Sequence, residues 1–210
     1  MTDVKKEALR YLGYSGSRPD EATYSLLCKA EKELRENAAM KFCYKAVPVS
    51  EALPVLKGED IMRHIKDCDR VILFAATLGV AADSLIRRAE ISDMAYAVIL
   101  DAMASALIEE YCDSCEAEMQ KAVNGHFTSR YSPGYGDYPI SEQESFIAFL
   151  NANKLIGLTA TESHILIPRK SVTAVIGVSD KPIEKRKRSC ESCNLRETCK
   201  LRKENKSCDN

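Results

Sequence analysis

Between Asp20 and Ala38 the apolar positions Leu26, Leu27, Ala30 and Leu34 fall on one helical face behind a Pro19-Asp20 start, which predicts an amphipathic helix. A shorter helix around 3–11 precedes it. The pattern then changes period. KFCYKAVPV, from Lys41, is short and strand-like and is broken by Pro48 and Pro54, and KGEDIMRHIKDC supplies one short helix. RVILFAAT is a continuous apolar run, the signature of a buried strand, and Gly79 lies where it turns towards a helix of roughly three turns, ADSLIRRAE. Residues 93–122 carry the longest helical signal, with an apolar or small stripe through Met94, Val98, Ala102, Ser105, Ile108, Cys112 and Cys115. After the loop RYSPGYGDYP, a further helix is expected from Ser141, whose hydroxyl would cap it with Glu144 three residues on. From Leu155 to Val178 the chain alternates and is rich in β-branched residues, and reads as strand, turn, strand.

These elements predict an α+β fold: a single domain with a twisted antiparallel sheet and a long central helix, spanning residues 1–180. Residues 181–210 differ. They hold almost no large apolar residue besides Ile183, Leu195 and Leu201, so they form a short basic, Cys-rich tail that cannot build a core of its own.

Composition narrows the function classes. A chain of 210 residues buries a real core, and a formal net charge of −1 gives no global attraction to nucleic acid or to an anionic membrane. The longest apolar run, residues 71–82, is too short to span a bilayer, and the N-terminal MTDVKKEALRYLGY has no signal-peptide core. The expectation is a cytoplasmic protein with neither nucleic acid nor membrane as partner. The histidines His64, His126 and His164 have no Ser or Cys at a triad spacing, and no strand is followed by a phosphate-binding glycine motif. Cys112 and Cys115 lie within the long helix and read as packed thiols rather than a redox pair.

Three features carry chemistry. In RYSPGYGDYP, Pro133 and Pro139 stiffen the backbone while Gly134 and Gly136 open conformations closed to other residues. Arg130 offers a planar fork for a carboxylate and Tyr135 a π face for a cation, a pair suited to a zwitterionic sulfonium compound; the plain alternative is a structural turn whose tyrosines cap the core. On the long helix, Glu109 and Asp113 share a face with the small residues Ala102 and Ser105, which would let a ligand reach Glu109; the alternative is a solvated helix edge. In the tail, Cys190, Cys193, Cys199 and Cys208 read C-x2-C-x5-C-x8-C, a density suited to an iron–sulfur cluster or to zinc, against the alternative of a thiol-rich segment holding no metal.

Arg130, Pro133, Gly134 and Tyr135 match the R-x-x-P-G-Y loop of the activation domain of cobalamin-dependent methionine synthase, which binds S-adenosylmethionine. VILFAATLG, the helix bearing Asp101, Glu109 and Asp113, and LTATESHILIPRKSVTAVIGVS resemble further family segments in the same order, over roughly residues 10–180. The resemblance implies that Glu109, Arg130, Gly134 and Tyr135, with Ser132 in the same loop, hold S-adenosylmethionine. It further implies a free-standing reactivation subunit that supports reductive methylation of cob(II)alamin. The cobalamin would be bound by a partner, a methionine synthase or other corrinoid protein. An electron-transfer protein, or an iron–sulfur centre in the tail, would supply the electron. The competing classes are a zinc-bearing binding module, for which the body lacks the basic and aromatic surface, and an S-adenosylmethionine sensor without methyl transfer.

Overall fold

The computed structural model describes residues 3–14 and 18–183. Helices α1 (Asp3–Tyr11) and α2 (Glu21–Asn37) lead into strand β1 (Lys41–Pro48), a short turn of helix α3 (Val49–Ala52) and helix α4 (Glu59–His64). Strand β2 (Arg70–Thr77) is followed by α5 (Val80–Ser92) and the 29-residue α6 (Met94–Ala122). Strand β3 (His126–Phe127), helices α7 (Gln143–Leu150) and α8 (Ala152–Ile156), the short strands β4 (Thr159–Ala160) and β5 (Leu166–Ile167), and the long β6 (Ser171–Ser179) complete the body.

The sheet explains the unbroken apolar run of β2. Its strands lie in the order β1-β2-β6-β3, every pair antiparallel, so β2 and β6 are central. Because side chains alternate across a strand, Ile72, Phe74 and Ala76 enter one core while Val71, Leu73 and Ala75 enter the other. Both faces are covered, hence no polar alternation is needed. The first core receives α1, α2, α5 and α6; the second receives α7, α8 and the segment around Val55 to Ile65. The expected α+β body with an antiparallel sheet and a long helix is what forms.

Local signals set the starts of the two longest helices. Asp20 accepts from Thr23 N at 2.7 Å and Asp93 from Tyr96 N at 3.1 Å, capping α2 and α6. Ser141 is different. It sits within a 3-10 turn, Ile140–Glu142, and α7 begins at Gln143 without a side-chain cap. The buried Gln143 instead accepts from Thr173 Oγ1 at 2.6 Å, so a tertiary bond to β6 fixes this end of the helix. The expected strand, turn, strand over 155–178 is also redistributed. Leu155 and Ile156 finish α8, β4 and β5 form a separate two-residue hairpin ladder, and the full strand is β6 alone. On α6, Met94 and Val98 leave the predicted apolar stripe and stand exposed, while Ala102, Ile108, Cys112 and Cys115 are buried as expected. The tail cysteines Cys190, Cys193, Cys199 and Cys208 lie outside the described residues, as does nearly all of the segment expected to follow residue 180.

Candidate functional site

The loop that carries Arg130 is fixed by the edge of β6. Thr128 N donates to Gly177 O at 2.9 Å, and Tyr131 pairs with Val175 through N–H···O bonds of 2.9 and 2.8 Å. Between these anchors the backbone is extended, so neighbouring side chains point to opposite sides. Tyr131 turns towards the second core, against His64, Tyr135 and Tyr138, with ring centroids at 5.0, 5.8 and 6.5 Å. Arg130 turns towards α6.

There the guanidinium meets three carboxylates of one helix face. Nη2 donates to Asp113 Oδ1 at 2.8 Å and to Glu109 Oε2 at 3.2 Å, and Nη1 to Glu116 Oε2 at 3.2 Å. The spacing 109, 113, 116 places all three acids on successive turns of one stripe. Burial alone would weaken the guanidinium's hold on its proton, but the bond to Asp113 and the surrounding negative charge carry its pKa above the ordinary arginine value. Glu109 and Asp113 bring two negative charges to the single positive charge of Arg130, an environment that attracts an ammonium or sulfonium group.

The same stripe continues towards the N-terminus of α6. Lys170, immediately before β6, reaches Asp101 Oδ1 at 2.9 Å and donates to Ser105 Oγ at 2.8 Å and Asp101 O at 3.1 Å. Two cations from the β6 side, Lys170 and Arg130, therefore clamp one polar face of α6. Burial, and secondarily the charge of Glu109, push the Tyr11 hydroxyl above its ordinary pKa, which places Tyr11 beside that face.

The remainder of RYSPGYGDYP forms two consecutive turns: Tyr135 N donates to Ser132 O at 3.1 Å and Tyr138 N to Tyr135 O at 2.9 Å, while Gly134 N closes onto Tyr138 O at 2.7 Å. Asp137 fastens the loop to α4, accepting from Glu59 N at 2.7 Å and Asp60 N at 2.9 Å. Those two backbone bonds hold its carboxyl below the usual range. The approach is close enough to require glycine at Gly58, where φ is +109° and a Cβ would stand 2.5 Å from Asp137 Oδ1. Tyr138 is buried and donates to Val55 O at 2.7 Å. Pro133 is buried, Ser132 half-buried, and Gly134 and Tyr135 exposed. Tyr135 thus presents its ring to solvent at the tip of a loop tied down at both ends.

Among the residues singled out from the sequence, Glu109 and Arg130 are brought into direct contact. Ser132, Gly134 and Tyr135 share the loop that begins at Arg130, and the backbone turns of that loop hold them, rather than the ion-pair cluster. Sequence reasoning missed Glu116 and Lys170. Glu116 was detectable as the i+7 partner of Glu109; Lys170 lies sixty-five residues from Ser105, and no local pattern links them. His64, expected at the surface, packs beneath the loop, its Nε2 2.8 Å from Ser129 O. Cys112 and Cys115 are buried as packed thiols; burial raises both, Cys115 to about 11. Among the described residues, no group of His, Cys, Asp or Glu is arranged to hold a metal ion. No helix among them is long and apolar enough to cross a membrane.

No protein-family model matches the chain, and no curated protein matches it. Among solved structures it is similar to the MetH reactivation domain crystallised with AdoHcy, with a TM-score of 0.57 over 97% of this chain and 83% of that one, at 14% identity. The likeness defines the class of fold. The chain has the fold of a MetH reactivation domain.

Proposed function

We propose that this protein binds S-adenosylmethionine at the Arg130 loop and the acidic face of α6, and serves as a reactivation subunit for a cobalamin-dependent methionine synthase or a related corrinoid protein. The observation that carries the reading is the convergence of Arg130, Glu109, Asp113 and Glu116 beside a tethered Pro-Gly-Tyr loop. The shared fold with a reactivation domain that was crystallised with AdoHcy supports it. In the reaction, the partner's oxidised corrinoid takes one electron and the methyl group of S-adenosylmethionine, and S-adenosylhomocysteine leaves.

This chain's part is positioning and electrostatics. The surplus negative charge of the Arg130 cluster favours the ammonium and sulfonium end of the ligand. Arg130 exchanges part of its contact with Asp113, the most exposed of its partners, for the ligand carboxylate. Tyr135 covers the sulfonium from the loop side, and Ser132 and Gly134 supply the backbone of that wall. No side chain is covalently changed. The partner would be a corrinoid protein, and the setting cytoplasmic. The route of the electron is part of the proposal: Cys190, Cys193, Cys199 and Cys208 would hold an iron–sulfur cluster, a reading supported by their spacing. Visible absorbance of anaerobically purified protein, bleached by dithionite, would bear out a cluster; a colourless protein containing zinc would overturn it.

Calorimetric titration with S-adenosylmethionine tests the central claim. Saturable binding is expected, weakened about tenfold or more in Glu109→Gln, which keeps shape and loses charge. Absence of binding by the wild type, or equal affinity in both proteins, would overturn the assignment.

A further inference from the structure

Asp113, Ser114, Ala117, Glu118, Gln120 and Lys121 are all exposed, so the C-terminal half of α6 keeps an open outer face. From Glu109 to Gln120 the helix carries five carboxylates and no base. Arg130 answers Glu109 and Asp113 from the loop side, and Arg35 answers Glu110 from α2 at 2.8 Å. The face is aromatic at its margin. Tyr111, seven residues before Glu118 and so on the same side, is half-buried and stands edge-on to Phe42 of β1 with ring centroids 6.3 Å apart. The described chain leaves the body at the foot of this face. Ser179 pairs with His126 just beyond the end of α6, and Arg70 Nη2 donates to Asn124 O at 2.9 Å and to Asp180 Oδ1 at 3.0 Å. The backbone bends there, with Lys181 N donating to Ser179 Oγ at 3.1 Å.

The charge of the chain divides at this exit. Residues 181–210 hold ten Lys and Arg against five Asp and Glu, whereas residues 1–180 hold twenty against twenty-six. Four of the ten bases form the unbroken run Lys185–Arg188. We infer that the outer face of α6 from Glu110 to Glu118 is the docking surface for Lys185–Arg188 of the same chain. Reach permits it. The stretch from Asp180 to Lys185 spans up to about 17 Å when extended, while Glu118 and Asp113 stand about 6 and 14 Å up the helix axis from Ala122. Attachment raises the local concentration of the basic run to the order of millimolar, which suits a contact made of individually weak, exposed ion pairs. Carboxylates alone would accept any cation; the guanidinium groups of Arg186 and Arg188 add a preference, because they also stack on the accessible part of the Tyr111 ring. The docking is independent of the proposed function. Its consequence for that function is that the segment bearing Cys190 and Cys193 starts from the helix that carries Glu109 and Asp113.

The test is zero-length carbodiimide coupling on the full chain, which joins a carboxylate to a lysine amine only where the two meet, followed by peptide mass spectrometry. Lys185 and Lys187 are expected to couple to Glu110, Asp113 or Glu118 in preference to acids elsewhere. Mixing isotope-labelled with unlabelled protein separates links within one chain from links between copies. Two perturbations keep the reporters in place: Arg186→Gln with Arg188→Gln leaves both lysines, and Glu118→Gln leaves Asp113. Each should lower the remaining links to α6 at least about threefold. Salt at about 0.5 M, where the Debye length shrinks to about 4 Å, should lower them in the wild type as well. Coupling of Lys185 and Lys187 mainly to acids off α6, links found only between differently labelled chains, or links to α6 unmoved by the substitutions and by salt would each overturn the docking. None of these readouts uses S-adenosylmethionine, so their failure leaves the proposed function standing, and a failure of ligand binding leaves the docking standing.

Discussion

Arg130 joins the loop to α6, and its removal should be felt in stability before any ligand is added. Its side chain is 20% exposed and faces Glu116 at 25%, Glu109 at 45% and Asp113 at 72%. Shielded charge-assisted hydrogen bonds contribute about 1.5–3 kcal/mol and exposed ion pairs about 0–1 kcal/mol. The Glu116 contact belongs nearer the first class and the Asp113 contact to the second. Arg130→Met keeps most of the apolar stem, loses all three contacts, and leaves three acids on one helix face; we expect a loss of about 2–3 kcal/mol. With a urea m-value near 2 kcal/mol per M, the midpoint should fall by about 1 M, read by far-UV circular dichroism. Glu116→Gln should cost less when combined with Arg130→Met than in the wild type, because the Arg130 contact is already gone. Arg130→Lys retains a charge without the planar fork, and should lose ligand affinity more than stability. A midpoint shift below about 0.2 M for Arg130→Met, with additive behaviour in the double variant, would show that the cluster is a solvated surface feature and refute the electrostatic argument.

Tyr138→Phe removes the buried hydroxyl bonded to Val55 O and leaves that carbonyl unpaired, so the variant should lose about 1–2 kcal/mol in the same urea assay. Asp137 has a folded pKa below its ordinary 3.8; its contribution is therefore present above that value and is lost as pH falls through the lower folded one. The acid limb of a stability profile should accordingly be shallower in Asp137→Ala than in the wild type, and identical limbs would count against the cap. Cys112 and Cys115 are buried with raised pKa values, so iodoacetamide at neutral pH should leave both unlabelled in the native protein and label them after denaturation, as read by peptide mass spectrometry.

What the sequence determined by itself was local and periodic. The helix around Leu27, Ala30 and Leu34, the buried strand RVILFAAT and the long helix from Met94 are each specified by side-chain period, and the two helices also by caps at Asp20 and Asp93. The stiffness of RYSPGYGDYP was equally legible, since proline and glycine act on their own backbone. Tertiary structure decided the rest. Ser141 lost its role as a cap because Gln143 found Thr173 thirty residues away, and a buried bond outweighs an exposed one. Met94 and Val98 matched the apolar period of α6, yet α1 and α5 diverge there and leave a groove where the pattern predicted a packed interface. Arg130 and Glu109 could be named from the chain, but their contact depends on β6, which fixes residues 128 and 131 and so aims Arg130 at the helix. Contacts over such separations leave no period behind, because only the closed fold brings their partners within the few ångströms over which charges and hydrogen bonds act.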